Sequence, residues 1–201
     1  DASTDPAVQK AAPKLVGSIS RAVNLCETTL AFGKAEEPPP RLSVFMLAAL
    51  VSDVAEGERL ATTTEMIEIL TDVAAGLSIR ADQEQLHRVI SNLVRNARQA
   101  IEATGRAGTI EIGAGETDSG WWLRVGDTGP GLPERTKEHL FQAFQGGSRK
   151  GGTGLGLAIA AELIRGHGGS LELVRSDAEG TEFMIHLPRS VQTTEGSRSA
   201  A

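Results

Sequence analysis

A glycine-rich segment late in the chain constrains the fold most strongly. It reads Gly-Gly-Thr-Gly-Leu-Gly-Leu-Ala-Ile over residues 151–159, and apolar residues at helical spacing follow it as far as Ile164. Glycine lets a ligand approach the backbone, and a glycine loop that opens a helix offers free N–H groups at the positive end of the helix dipole. The segment predicts an anion site, with phosphate as the commonest occupant. A flexible turn before a core helix is the simpler alternative.

Composition limits the classes of protein to which the 201-residue chain can belong. The length suits one ordinary domain with an appendage, and the low aromatic content of 3% requires an aliphatic core. A net charge of −6 without a basic cluster argues against nucleic-acid binding. The single cysteine, Cys26, suits a reducing compartment, so we expect a cytoplasmic location. No apolar run approaches roughly 20 residues, so we expect no membrane contact by this segment, although a longer parent protein could be membrane-anchored.

Apolar periodicity divides the chain into helices and strands. A long helix is predicted from Pro6 to about Lys34, whose apolar stripe suits either a dimer seam or packing on the same chain. Pro38-Pro39-Pro40 marks a linker, and the tail from residue 190 is expected to be disordered. Further helices are predicted at 42–55, 82–101, 133–144 and 155–165, and strands at 66–74, 76–81 (or a turn), 109–114, 121–125, 170–175 and 181–187.

Two stretches place polar groups where a nucleotide could bind. Asp82 and Gln85 form a capping-box pattern before a helix that carries Asn92 and Asn96 one turn apart on its polar face. Asn is a poor helix former, so the pair is either solvated or part of a metal–phosphate site, because an amide oxygen suits Mg²⁺. Asp127 ends a strand before a glycine turn, where its carboxylate could accept from an exocyclic amine or simply form an Asx turn.

Four motifs in order resemble the nucleotide-binding boxes of sensor histidine kinases. They are residues 92–97 (Asn-Leu-Val-Arg-Asn-Ala), 127–131 (Asp-Thr-Gly-Pro-Gly), 140–144 (Leu-Phe-Gln-Ala-Phe) and 152–157 (Gly-Thr-Gly-Leu-Gly-Leu). The resemblance covers about residues 55–188. It implies an α/β fold, the Bergerat-type sandwich of a mixed, mostly antiparallel sheet covered by helices, here preceded by a long N-terminal helix. Gyrase, heat-shock chaperone and mismatch-repair ATPases share that fold.

The resemblance also implies that the four motifs bind Mg²⁺ and ATP. Asp127 would accept a hydrogen bond from the adenine amine, and Asn96 would hold the Mg²⁺ that bridges the phosphates. Arg149 or Lys150 would steady the γ-phosphate, so that Asn92, Asn96, Arg149 and Lys150 form the catalytic set. The remaining residues implied in ATP binding are Gly129, Gly131, Phe141, Phe144, Gly152, Thr153, Gly154, Leu155, Gly156 and Thr181.

The residue at position 92 indicates which of the reactions catalysed by such proteins is expected here. ATP-hydrolysing relatives and anti-sigma serine kinases place a Glu four residues before the metal Asn, where it acts as general base. Asn92 stands there in this chain and cannot accept a proton near neutral pH. A neutral imidazole has a free lone pair and needs less help, so transfer to histidine is favoured. The alternatives are an ATPase or a serine kinase, and a non-catalytic nucleotide-binding or dimerisation module.

The four histidines do not match the acceptor motif expected of such a kinase. His87, His139, His167 and His186 all lie in the ATP-binding region, where we interpret them as structural or surface residues. We therefore expect a fragment that lacks its phosphoacceptor, with a natural kinase acting in trans as the alternative. The expected divisions are 1–37 (dimerisation and phosphotransfer helix), 38–54 (linker and short helix), 55–189 (ATP-binding domain) and 190–201 (tail). The implied partners are a response regulator receiver domain and a second copy of the helix.

Overall fold

The computed structural model describes residues 37–62, 66–142 and 155–189. The helix predicted at 6–34 and the tail predicted from residue 190 lie outside these ranges. The strands are β1 (Ser43–Met46), β2 (Ile67–Val73), β3 (Ser78–Ala81), β4 (Gly108–Glu116), β5 (Gly120–Asp127), β6 (Ser170–Asp177) and β7 (Gly180–Pro188). The helices are α1 (Leu47–Ala61), α2 (Gln83–Glu102), α3 (Glu134–Lys137) and α4 (Gly156–Gly166).

Five strands form the main sheet in the order β2-β4-β5-β7-β6. β2 pairs in parallel with β4, and the other three pairs are antiparallel. β1 and β3 form a separate antiparallel pair in which Ser43 lies opposite Ala81. The prediction of a mixed, mostly antiparallel α/β sandwich is confirmed.

Helices α1, α2 and α4 pack on one face of the main sheet. Apolar residues recur along α2 at three- and four-residue steps, so they lie along one face of the helix. Leu86, Val89 and Ile90 on that face have no exposed surface. The other face of the sheet carries charged residues, since the Arg124 guanidinium donates to Glu111 at 3.2 Å and to Glu182 at 3.3 Å.

An ion-pair cluster ties α1 to α2. The Arg98 guanidinium donates to Glu58 of α1 and to Glu102 of α2, both at 2.8 Å, and only 12% of the Arg98 side chain is exposed. Burial lowers the pKa of Arg98, but the two carboxylates more than offset this effect, so its pKa is raised and its charge is retained. Removing Glu58 or Glu102 would leave a poorly hydrated charge without its partner, so this cluster fixes the spacing of the two helices.

The prediction of a helix over residues 42–55 is wrong at both ends. Residues 43–46 form β1, and the helix that follows continues to Ala61. The strand exists because its backbone pairs with β3, which lies more than thirty residues away along the chain. The predicted division between residues 54 and 55 therefore falls inside α1, whose Leu47 and Ala55 are both fully buried.

Three local predictions also need correction. The helix predicted over 133–144 is a single turn, Glu134–Lys137, followed by turns as far as residue 142. The loop predicted at 115–120 shortens to residues 117–119, because Thr117 and Gly120 exchange backbone hydrogen bonds. Asp82 caps α2 by accepting from the Gln85 N–H at 3.0 Å, but the Gln85 side chain does not complete the capping box; it donates to the Pro38 carbonyl.

Candidate functional site

One face of α2 carries Asn92, Asn96 and Ala100, spaced four residues apart. Residues at this spacing stack along a helix, so the row spans about 12 Å. Asn92 and Asn96 are half-buried, so both side chains keep some contact with solvent. Within the described ranges, no hydrogen bond involves the Asn96 side chain. Both glycine motifs contact this row, one at each end.

At the Asn92 end of the row lies the start of α4. A Cβ built on Gly156 would lie 3.4 Å from Asn92 Oδ1 and 3.6 Å from Asn92 Cγ. Gly156 thus allows close approach of α4 to the N-terminal half of α2. The Asn92 amide oxygen also accepts a hydrogen bond from the Arg95 guanidinium, which orients the amide.

The first turn of α4 begins without a side-chain cap. Its N-cap residue is Leu155, which is fully buried and has no polar side chain. Backbone N–H groups at a helix start lack partners inside the helix, and they favour an anion in front of them. The helix thus starts at Leu155 and Gly156, next to Asn92, and its role as an anion site stays a prediction.

At the Ala100 end of the row lies the turn that follows β5. A Cβ built on Gly129 would lie 3.3 Å from the Ala100 Cβ and 2.7 Å from Asp127 Oδ1. The Gly129 N–H donates to Asp127 Oδ1 at 2.7 Å, as in an Asx turn. Asp127 is 9% exposed, and it lies opposite the buried Thr181 in the pairing of β5 with β7.

The turn between β6 and β7 packs against this glycine turn. Gly131 has a φ of 73°, and a Cβ there would lie 2.1 Å from the Asp177 carbonyl oxygen. Gly180 has a φ of 145°, and a Cβ there would lie 1.7 Å from the Asp127 carbonyl oxygen. Both positions exclude a side chain, so the backbone around Asp127 is held by direct contact with the neighbouring turn.

The structure describes nine of the residues predicted for this site. One group lies on α2 and at the start of α4: Asn92, Asn96 and Gly156. A second group lies around the turn after β5: Asp127, Gly129, Gly131 and Thr181. The other two described residues are Leu155 and Phe141. Phe141 is half-buried and packs against the core beside the buried Leu140. Phe144, Arg149, Lys150, Gly152, Thr153 and Gly154 lie outside the described residues.

Two contacts at the site were missed by the sequence analysis. Arg95 was read only as part of a motif, although its spacing of three from Asn92 is a signal for a side-chain contact on a helix. Thr128 was not singled out, yet its Oγ1 accepts from the Thr109 N–H at 2.8 Å and its own N–H donates to the Thr109 carbonyl. These bonds tie the glycine turn to β4.

No helix in the described part of the chain is both long and apolar enough to cross a membrane. Across residues 37–62, 66–142 and 155–189, no group of three or more His, Cys, Asp or Glu side chains lies close enough together to hold a metal ion.

Comparison with known proteins identifies the family. Residues 81–191 match the family described as histidine kinase-, DNA gyrase B-, and HSP90-like ATPase. The chain is 32% identical over 186 residues to the sensor protein DivL of Caulobacter vibrioides, covering 92% of this chain and 23% of DivL. The chain spans about a fifth to a third of the length of the first curated relatives that it matches.

Solved structures agree with this family. Full-length ShkA in complex with AMPPNP superposes with a TM-score of 0.76 at 28% identity, covering 91% of this chain and 39% of that one. Histidine kinase ThkA in complex with response regulator protein TrrA gives a TM-score of 0.71 at 27% identity, covering 92% and 53%. The chain belongs to the histidine kinase-, DNA gyrase B- and HSP90-like ATPase family, and it carries the catalytic domain of the sensor histidine kinase type.

Proposed function

We propose that this domain binds Mg·ATP and transfers the γ-phosphoryl group to a histidine other than the four of this chain, for relay to an aspartate of a response regulator. The observation that carries the proposal is the row Asn92, Asn96 and Ala100, with a helix start at one end and the turn of Asp127 at the other. Asn96 lies between a group suited to phosphate and a group suited to an amine. A nucleotide has those two chemistries at its two ends.

The binding roles follow from the chemistry of the side chains. The Asp127 carboxylate can only accept hydrogen bonds, so it selects an amine such as that of adenine. Gly129 and Gly131 shape its turn, and Thr181 offers a hydroxyl beside it. At the other end, the N–H groups that begin α4 would face the phosphates; glycines 152, 154 and 156 would allow close approach of the backbone, and Thr153 would lie within the same phosphate-binding segment.

The donor set at Asn96 suits a magnesium ion. Mg²⁺ prefers hard oxygen ligands and keeps several waters, so one amide oxygen together with phosphate oxygens is a reasonable set. When bound, the ion would neutralise phosphate charge. Asn92, already oriented by Arg95, would help to fix the adjacent groups. Arg149 or Lys150 would neutralise charge at the γ-phosphate, and Phe141 and Phe144 would anchor the segment that carries them.

Position 92 favours a histidine acceptor over water. During transfer the acceptor nitrogen forms a bond to phosphorus while the bond to the β,γ-bridging oxygen breaks, and ADP leaves. A neutral imidazole attacks with its lone pair, so no carboxylate base is needed to remove a proton first. Since Asn92 cannot act as that base, we expect slow hydrolysis in the absence of an acceptor.

The partners and the compartment are parts of the same proposal. ThkA was solved with a response regulator, and its similarity to this chain supports a receiver domain as the downstream partner. We propose that residues 1–37 contribute to a homodimer and that the domain acts in the cytoplasm, as the single cysteine suggests.

A two-part experiment tests the proposal. Mg·ATP is titrated by calorimetry into the unaltered chain and into the Asn96→Asp and Asp127→Asn variants, with the solvent-face variant Arg124→Gln as control. Labelled ATP is then supplied with and without a separate domain that carries an acceptor histidine.

We expect binding by the unaltered chain and the control, loss of binding in both site variants, and acid-labile label on the added histidine alone. Rapid phosphate release without the acceptor would identify an ATPase instead. Absence of binding by the unaltered chain would indicate a scaffold retained for protein contacts.

A further inference from the structure

The start of α2 and the end of α4 meet beside the segment that leads into the domain, residues 37–42. Asp82 and His167 form the centre of this junction, and they are 9% and 2% exposed. Neither residue belongs to the nucleotide motifs. A buried carboxylate beside a buried imidazole requires specific partners, because unpaired polar groups are costly in a protein interior.

The Asp82 carboxylate joins the leading segment to α2. Its Oδ1 accepts from the Gln85 N–H at 3.0 Å, and its Oδ2 accepts from the Arg41 N–H at 2.8 Å. The two oxygens therefore hold one group from α2 and one from the leading segment. Moving Arg41 away would leave a buried carboxylate oxygen without this donor.

The His167 imidazole joins the same point to α4. Its Nε2 accepts from the Asp82 N–H at 3.0 Å, and its Nδ1 lies 2.8 Å from the Leu163 carbonyl oxygen. A backbone N–H can only donate and a carbonyl can only accept, so the ring is neutral with its proton on Nδ1. His167 thus fixes the last turn of α4 against the first turn of α2.

Three further contacts hold the leading segment at this junction. The Gln85 Nε2 donates to the Pro38 carbonyl at 3.0 Å, and Arg88 pairs with Glu37 at 3.3 Å. A Cβ built on Gly166 would lie 3.8 Å from Pro40 Cδ, so the segment also lies against the end of α4. The segment is docked on both helices.

These helices are the two that form the phosphate side of the candidate site. Asn92 lies ten residues after Asp82, and Gly156 lies eleven residues before His167, so each site residue is about 15 Å from the junction along its helix. Helices α2 and α4 therefore contact each other at two places. One is the Asp82–His167 hydrogen bond, and the other is the close approach of Gly156 to Asn92.

We propose that His167 is a positioning residue for nucleotide binding, which acts through Asp82 and couples docking of residues 37–42 to the spacing of α2 and α4. The proposal rests on the function proposed above. Coupling between two sites is reciprocal, so a nucleotide that favours the present spacing of α2 and α4 must also favour the docked segment. The segment precedes the domain in the chain, so the same coupling would link whatever displaces residues 37–42 to the nucleotide site.

The test compares His167→Leu, His167→Gln and the control Ile112→Ala, a buried residue of β4 outside the junction. Leu cannot bond either partner, Gln retains one donor and one acceptor, and the control lowers stability without altering the junction. Affinity for Mg·AMPPNP is measured by calorimetry. Hydrogen exchange of the Arg41 amide is measured in the unaltered chain with and without Mg·AMPPNP.

We expect about tenfold weaker binding in His167→Leu, within the usual range of coupling factors, with partial recovery in His167→Gln and a change below about twofold in Ile112→Ala. We also expect AMPPNP to slow exchange at Arg41 by more than it slows exchange at core amides of β4, an excess beyond the added global stability that a merely structural role would not predict. Equal affinity in His167→Leu, equal weakening in the control, or no such excess at Arg41 would overturn the coupling alone. Failure of the unaltered chain to bind AMPPNP would overturn the proposed function as well.

Discussion

At the scale of single residues, Gly180 shows how the backbone around Asp127 is held. Its φ of 145° and the 1.7 Å distance from a built Cβ to the Asp127 carbonyl oxygen leave no room for a side chain. The two turns therefore pack backbone against backbone. The backbone of Asp127 is therefore held in one position.

Replacing Gly180 by Ala should lower the free energy of unfolding by about 2 kcal/mol or more, because the new methyl group strains φ and displaces the Asp127 backbone. Urea denaturation measures this loss. Gly76→Ala is the matched control, since no atom lies within 4 Å of a Cβ there. A loss in Gly180→Ala no larger than in the control would contradict the packing described.

Asp82 gives the domain a component of acid sensitivity. Burial raises the pKa of its carboxyl, but the backbone N–H donors of Gln85 and Arg41 more than offset this effect, so the pKa is lowered overall. A carboxyl with a lowered pKa in the folded state stabilises the fold above its unfolded pKa of about 3.9, and this contribution is lost as the pH falls through the folded value.

Asp82→Asn should cost about 1–3 kcal/mol at pH 7, because an amide offers one acceptor oxygen to two buried N–H donors. The difference from the unaltered chain should shrink as the pH falls below the unfolded pKa of about 3.9, because the unfolded chain then takes up a proton that the folded carboxyl, with its lowered pKa, resists. Urea denaturation from pH 7 to pH 2.5 follows this difference. A constant difference across that range would show that the charge of Asp82 has no part in stability.

At the scale of elements, α1 forms despite a glycine in its interior. Gly57 is exposed and its built Cβ has no neighbour within 4 Å, so it has no packing role among the described residues. The helix holds because Leu47, Leu50 and Val51 are buried and because Arg98 of α2 pairs with Glu58. Tertiary contacts outweigh a poor local propensity here.

Gly57→Ala should therefore stabilise the domain by about 0.5–1 kcal/mol, the usual difference in helix propensity between the two residues. Thermal unfolding checks the sign of this change, and the Tm should rise by a few degrees. A decrease would mean that the helix differs from the one described around residue 57.

At the scale of the whole molecule, nucleotide binding should appear as added stability. A ligand that binds only the folded state at a concentration of 100 Kd adds about 2.7 kcal/mol. For a domain of this size the Tm should rise by about 5–10 °C with Mg·AMPPNP. Scanning calorimetry on the unaltered chain and on Asp127→Asn tests this effect, and an equal rise in both would remove Asp127 from the binding site.

The motifs of the candidate site were predictable because each one is local. A helix period places Asn92 and Asn96 on one face, a strand followed by Asp-Thr-Gly-Pro-Gly predicts a turn, and a glycine loop before an apolar run predicts a helix start. The structure has the helix, the turn and the helix start at these positions. Their assignment to ATP and Mg²⁺ stays a prediction.

The errors arose where distant segments decide the structure. Residues 43–46 read as part of a helix but form a strand, because β3 supplies the hydrogen bonds for it. Gln85 fits a capping box, yet its side chain bonds Pro38 while His167 takes the Asp82 N–H. His167 lies 85 residues from Asp82, so no local pattern could pair them.

The sequence by itself determined the α/β class, the main strands, the buried face of α2 and the order of the four motifs, since periodicity and turn chemistry are properties of neighbouring residues. Tertiary structure decided how the motifs meet: Gly156 against Asn92, Gly129 against Ala100, and Asp82 against His167. These contacts depend on the packing of α4 on α2 and of the β6–β7 turn on Asp127. The physical reason is that backbone and buried polar groups take partners from whichever segment the fold brings close, and sequence spacing carries no record of that choice.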